Sequence, residues 1–178
     1  MSLLVLHTFI ITYFFIPCLS VNMLGPADII YKTFNYCETK MTDVDVWITT
    51  KKYNRTTSVL DITLISPWPI DDNLILEVTA EIKKEGGYKP GQFHMKDTMC
   101  KVLSTLFDEL FTQFLEAAYV NECPIPEGKY DVKNFYLDNE KMTVPQLYGE
   151  YRVLAQIYKD EELKGCYYAF VDMVPKNK

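Results

Sequence analysis

Hydrophobic and polar residues alternate in three stretches of the first half of the chain. Such alternation is typical of β-strands that have one buried face and one solvated face. The apolar positions are Val44, Val46 and Ile48 in the first stretch, Leu60, Ile62 and Leu64 in the second, and Leu74, Leu76, Val78, Ala80 and Ile82 in the third. The third stretch carries Glu77, Thr79, Glu81 and Lys83 on its other face. The pattern predicts antiparallel strands.

Two segments rich in turn residues interrupt the chain between these stretches and after the last of them. Residues 66–73 contain Pro67, Pro69 and several Asx residues, and predict a turn on which Trp68 is exposed. Trp68 is therefore a candidate contact for a partner or a membrane. Residues 86–91 contain three glycines and a proline, and predict a flexible hairpin.

The period of the pattern changes after Asp97, which is a good N-cap residue. Apolar residues then recur at helical spacing, at Met99, Val102, Leu103, Leu106, Phe107, Leu110, Phe111, Phe114, Leu115 and Ala118. This spacing predicts one amphipathic helix. The helix should end before the proline-containing turn at residues 123–128, which cannot continue it.

The last third of the chain returns to the alternation of strands. Tyr151, Val153, Ala155 and Ile157 share one face of a predicted strand. The final strand, over residues 166–174, is apolar on both faces, with Tyr168 and Phe170 on one of them, and should be central or covered on both sides. The whole pattern predicts a mainly β fold, an antiparallel β-sandwich or β-cup with one amphipathic helix.

An apolar segment at the N-terminus bears on where the chain resides. Residues 3–16 are almost entirely apolar and are followed by Pro17 and small residues. This pattern predicts a signal peptide over residues 1–20 and a single domain over residues 21–178; a retained membrane anchor is the alternative. The formal net charge is −6 without basic clusters, so a nucleic-acid partner is not expected.

Cysteine content agrees with export to an oxidising compartment. Of the five cysteines, one leaves with the predicted signal peptide. An even set remains, Cys37, Cys100, Cys123 and Cys166, which should form disulfides in one of three pairings that spacing does not distinguish. Asn54 begins an N-x-Thr triplet and is a candidate glycosylation site. The sequence shows no zinc-ligand spacing, and neither a metal nor a cofactor is expected.

Candidate catalytic groups are few. His94 is the histidine that remains after signal-peptide removal, and a loop position is expected for it. The acidic pairs Asp71-Asp72 and Glu161-Glu162 lie in predicted turns, where carboxylates are solvated. No serine has the surroundings of a nucleophile elbow. The protein is therefore not expected to be an enzyme, and a hydrolase hypothesis requires that His94 face a serine or cysteine.

A series of short motifs in the second half of the chain resembles a known family. The motifs are Cys123-Pro124 with Gly128 and Tyr130, then Val144-Pro145, Gly149-Glu150-Tyr151-Arg152 and Gly165-Cys166. In this order they resemble the ganglioside activator family, and also the insect group of secreted proteins that includes the CheB contact-chemosensory proteins. The resemblance is specific over residues 100–174.

The resemblance implies a β-cup of the ML-type lipid-recognition superfamily, with immunoglobulin-like topology and an apolar cavity. It also implies the disulfides Cys37–Cys166 and Cys100–Cys123. Two further bridges of the activator family have no cysteines here, and a long helix replaces one of its loops. Ganglioside specificity is therefore not carried over.

The expected function is that of a secreted, non-enzymatic protein that binds a lipid or a pheromone-like hydrophobic small molecule, in an extracellular or lysosomal location. The residues expected to line the cavity are Leu103, Phe107, Leu110, Phe111, Phe114, Tyr151, Val153, Ile157 and Phe170. The alternative is a secreted adaptor with a filled core, which would dock a receptor or a membrane through Trp68 and the helix.

Overall fold

The computed structural model describes residues 27–37, 43–55, 57–144 and 147–176. The predicted signal peptide at residues 1–20 lies outside the described residues. The strands are β1 Ala27–Tyr36, β2 Asp45–Lys52, β3 Ser58–Ser66, β4 Leu74–Lys84, β5 Gly87–Thr98, β6 Gly128–Phe135, β7 Gly149–Lys159 and β8 Glu162–Pro175. The helices are α1 Met99–Phe107 and α2 Glu109–Ala117, with a short 3-10 helix at Asn139–Lys141.

The strands form two antiparallel sheets. The larger sheet has the order β1-β8-β7-β4-β5 and the smaller has the order β2-β3-β6. The alternating positions of the sequence explain the layering, because the apolar face of each sheet turns toward the other while the polar face meets water. The prediction of a mainly β antiparallel sandwich or cup is confirmed.

The prediction of one continuous helix is wrong, because Asp108 divides the segment into α1 and α2. Asp108 has φ 42° and ψ −114°, a positive-φ conformation outside the helical region, and this breaks the helical path. The predicted N-cap at Asp97 is also wrong, since β5 runs through Asp97 and Thr98 directly into α1. The Asp97 carboxylate accepts a hydrogen bond from the Thr98 amide at 2.8 Å instead.

The hairpin predicted at residues 86–91 is shorter than expected. Strand β4 ends at Lys84 and β5 begins at Gly87, so Pro90 and Gly91 lie within β5. A shift in register at Ala80 and Glu81 accommodates them. A Cβ atom on Gly91 would lie 2.2 Å from the Ala80 carbonyl oxygen, which explains the need for glycine at this position.

The two sheets are held together by a buried tyrosine. The Tyr167 hydroxyl, on β8, donates a hydrogen bond to the Val44 carbonyl and accepts one from the Val46 amide at 3.1 Å. The ring stacks on Phe34 with the centroids 5.2 Å apart. Burial raises the pKa of Tyr167 to about 12, so the hydroxyl stays protonated and continues to donate at physiological pH. Tyr167 therefore fixes the spacing between the larger sheet and β2.

Strand β8 is central, as predicted, because it lies between β1 and β7. Its outer face carries Tyr168 and Phe170, both partly buried. The Arg152 guanidinium lies over the rings of Tyr88 and Tyr168, 5.0 and 4.8 Å from their centroids. Contacts of this kind explain how aromatic residues occupy the outer side of the sheet.

Both cysteine pairs implied by the family resemblance are present. Cys37, which follows β1, pairs with Cys166 of β8 across a Cα–Cα distance of 5.4 Å. Cys100 of α1 pairs with Cys123, which precedes β6, across 6.4 Å. Among the described residues, the helices are too short and too polar to cross a lipid bilayer.

Candidate ligand cavity

A cavity of about 340 Å³ lies between the two sheets and the helices. Sixteen of the twenty residues that line it are apolar. Those from strands and loops are Phe34, Val46, Ile48, Leu60, Ile62, Leu64, Ile125, Phe135, Leu137 and Ala169. The polar ones are Tyr31, Lys32 and Thr33 on β1 of the larger sheet and Thr50 on β2 of the smaller sheet.

The helices supply the remaining wall of the cavity. Val102, Leu106 and Leu115 are buried and anchor α1 and α2 to the core. The adjoining part of each helix surface carries the cavity-lining residues Met99, Leu103, Phe107, Leu110, Phe111 and Phe114. The structure thus brings together five residues that the sequence proposes for the lining, namely Leu103, Phe107, Leu110, Phe111 and Phe114.

The other four proposed residues do not line the cavity. Ile157 is 2% exposed within the main core, and Tyr151 packs with Ile29 and Val171 in a second cluster. Val153 packs against both clusters. Phe170 lies on the outer face of the sheet against Tyr88, with the ring centroids 5.9 Å apart. The three β7 residues lie outside the cavity because packed core covers the inner face of β7, and the space lies nearer β1, β2 and β3. Phe170 lies outside it because its side chain is on the outer face of β8.

The two ends of the cavity differ in exposure. Thr50, on the inward face of β2, lines one end and is exposed to solvent. Leu64, Met99 and Ile125 line the cavity and are only 5%, 5% and 1% exposed. The register of β2 on β3 sets this direction, since Thr50 pairs with Leu60 at one end while Val46 pairs with Leu64 at the other. The cavity therefore runs from an open end at Thr50 to a closed apolar end.

Trp68 is less exposed than the sequence predicts. It is partly buried and packs against the main core. The ammonium groups of Lys159 and Lys164 lie 5.7 and 5.8 Å from the centroid of its ring. These cation–π contacts and the core packing explain why an aromatic residue is stable on this turn.

His94 lies on strand β5 and not on a loop, contrary to the prediction. Its Nε2 atom is 2.8 Å from a carboxylate oxygen of Glu77 on the neighbouring strand β4. Hydrogen bonds from His94 and Lys96 hold the pKa of Glu77 below its usual value. The contacts of His94 are thus those of a surface ion-pair group on the outer face of the larger sheet.

Asn54 is exposed in the turn between β2 and β3, and its side-chain oxygen accepts a hydrogen bond from the Thr57 amide at 2.8 Å. Thr56 of the triplet lies outside the described residues.

We expect protein secreted from eukaryotic cells to lose mass on enzymatic deglycosylation, and the Asn54→Gln variant to show no such loss. Asn73→Gln, in another exposed turn without the triplet, is the control and should keep the glycan. Mass spectrometry checks both, and an unmodified Asn54 in secreted protein would contradict the prediction.

Comparison with known proteins adds one relationship. No curated protein matches the chain. A family model described as a protein of unknown function (DUF1091) matches residues 76–153, which is somewhat less than half of the chain. The matched residues run from β4 to the middle of β7 and include both helices, so they contain the helical wall of the cavity.

Proposed function

We propose that the protein is a non-enzymatic binding protein that holds a lipid chain or another hydrophobic small molecule between its two sheets. The observation that carries this proposal is the cavity of about 340 Å³ with its predominantly apolar lining. Small-molecule sites typically occupy about 300–1,000 Å³ and combine apolar walls with a few polar groups. The cavity is at the lower end of that range and suits one chain, not several.

The size of the cavity limits the length of the ligand. A water molecule occupies about 30 Å³ in the liquid, and a methylene group is of similar size. A cavity of 340 Å³ therefore holds on the order of eleven methylene groups. Each buried methylene contributes about 0.8 kcal/mol, which corresponds to roughly a fourfold gain in affinity.

We further propose that the domain is a β-cup of the ML-type lipid-recognition superfamily and that it acts outside the cell or in a lysosome. The antiparallel sandwich, the internal cavity and the two disulfides support this assignment. Disulfides persist mainly in oxidising compartments, which favours a secreted protein.

The cavity also favours one of the two hypotheses that the sequence leaves open. An adaptor with a filled core would not need an internal space of this volume, whereas a binding protein requires one. The hydrolase hypothesis gains no support from His94, because the contact that positions its ring is with the carboxylate of Glu77.

A series of straight-chain alcohols from hexanol to tetradecanol tests the proposed function. We expect each added methylene to strengthen binding about fourfold, because it removes further apolar surface from water. The gain should stop at about eleven or twelve carbons, where the chain fills the cavity. Displacement of a fluorescent acyl probe measures the affinities. A protein that binds neither the probe nor any of the alcohols would refute the proposal.

A further inference from the structure

Lys52 lies beside the open end of the cavity. It follows Thr50 by two residues on β2, and side chains alternate along a strand, so both belong to the face that turns toward the cavity. Two residues of a strand span about 6.5 Å, a distance that the four-carbon stem of a lysine can cross. Lys52 is exposed, and within the described ranges its ammonium forms no ion pair.

The other lysines of β1 and β2 have carboxylate partners. Lys51 lies on the opposite face of β2 and pairs with Asp61 at 2.8 Å. Lys32 contributes to the cavity lining, but its ammonium pairs with Asp172 at 2.6 Å. Lys52 is thus the lysine of these two strands whose charge remains available to a ligand at the open end. Arg55, in the turn after β2, adds a second positive charge to the same hairpin.

We propose that the open end is a subsite for an anionic headgroup, a carboxylate or phosphate carried on a single alkyl chain. The Lys52 ammonium supplies the charge, and the hydroxyl group of Thr50 supplies a hydrogen bond. The headgroup stays at the solvated rim, which avoids the large cost of burying a charge among apolar side chains. The chain extends toward Leu64, Met99 and Ile125. This inference rests on the proposed function, because it names the class of ligand for the same cavity.

Three ligands of equal chain length separate the headgroup from the chain: dodecanoate, dodecyl phosphate and dodecanol. We expect Lys52→Met to weaken the binding of dodecanoate and dodecyl phosphate about threefold to fivefold, the upper part of the range for an exposed ion pair, and to leave dodecanol unchanged. Lys51→Met is the matched control on the opposite face, and it should leave all three affinities unchanged. Lys52→Arg keeps the charge and should keep the affinity for both anions.

Ionic strength provides a second measurement on the unsubstituted protein. Raising the salt concentration from 0.01 to 1 M shortens the screening length from about 30 to 3 Å, so the anions should bind more weakly and dodecanol should not. If dodecanol binds while Lys52→Met and salt leave the affinity of both anions unaltered, the headgroup inference is wrong and the proposed function stands. If no chain of any kind binds, the proposed function itself fails. Weakening of only one anion identifies the headgroup as carboxylate or phosphate.

Discussion

Leu103→Trp is expected to abolish most binding of long-chain ligands while the protein still unfolds cooperatively. Leu103 lies on α1, is partly buried and lines the cavity. An indole at this position would occupy space that a ligand otherwise fills, so the added atoms meet a void and not packed neighbours. We expect the affinity for dodecanol to fall at least tenfold, and the preferred alcohol to become shorter, since each excluded methylene costs about 0.8 kcal/mol.

Val153→Trp is the matched control for this prediction. Val153 packs against both core clusters and does not line the cavity. A tryptophan at this position would therefore press against side chains that are already closely packed. Overpacking of this kind typically costs about 1–3 kcal/mol. The free energy of unfolding should therefore fall for Val153→Trp, while the folded fraction keeps its affinity for dodecanol.

Urea denaturation and probe displacement on the two variants measure stability and binding separately. The prediction requires that Leu103→Trp lose ligand binding while it keeps its stability, and that Val153→Trp lose stability while it keeps ligand binding. Equal destabilisation by both substitutions, with binding retained by Leu103→Trp, would mean that the space at α1 is filled by packed side chains.

Much of the fold could be predicted from the sequence because strand alternation and helical spacing are local properties. The inward positions of β3, Leu60, Ile62 and Leu64, follow directly from the period of two. The break at Asp108 could not be predicted from the spacing, because the apolar stripe continues through it from Leu106 to Leu110. The same limit applies to Pro90 and Gly91, which a change of register places within β5.

The position of the cavity was harder to predict than the fold. The helical residues Leu103 and Phe107 could be proposed because they lie on the apolar stripe of an amphipathic helix, and such a stripe packs against the interior of the domain. Val153 and Ile157 have an equally apolar pattern but face solid core. Alternation identifies the face of a strand that turns inward, but the space between two sheets depends on which elements oppose each other across the layers. That information is absent from any one strand.

Removal of the disulfides is expected to have the largest effect on stability. Cys37–Cys166 joins residues 129 positions apart, and Cys100–Cys123 joins residues 23 positions apart. By the loop-closure relation, the longer bridge should contribute about 5 kcal/mol and the shorter about 3.4 kcal/mol. The double substitution of Cys37 and Cys166 by alanine should therefore destabilise the protein more than the double substitution of Cys100 and Cys123.

The effect on ligand binding should have the reverse order. Cys100 follows Met99, a residue at the closed end of the cavity, so its bridge holds the start of α1 against the segment that carries Ile125. Cys37–Cys166 joins the end of β1 to β8, and β1 is already paired with β8 from Ala27 to Tyr36. We expect the Cys100/Cys123 double variant to lose more affinity for dodecanol per folded molecule, although it retains more stability. Urea denaturation measures the stability of both double variants, and probe displacement measures their affinity for dodecanol. If the Cys37/Cys166 double variant loses more of both stability and affinity, α1 needs no bridge to form the cavity wall.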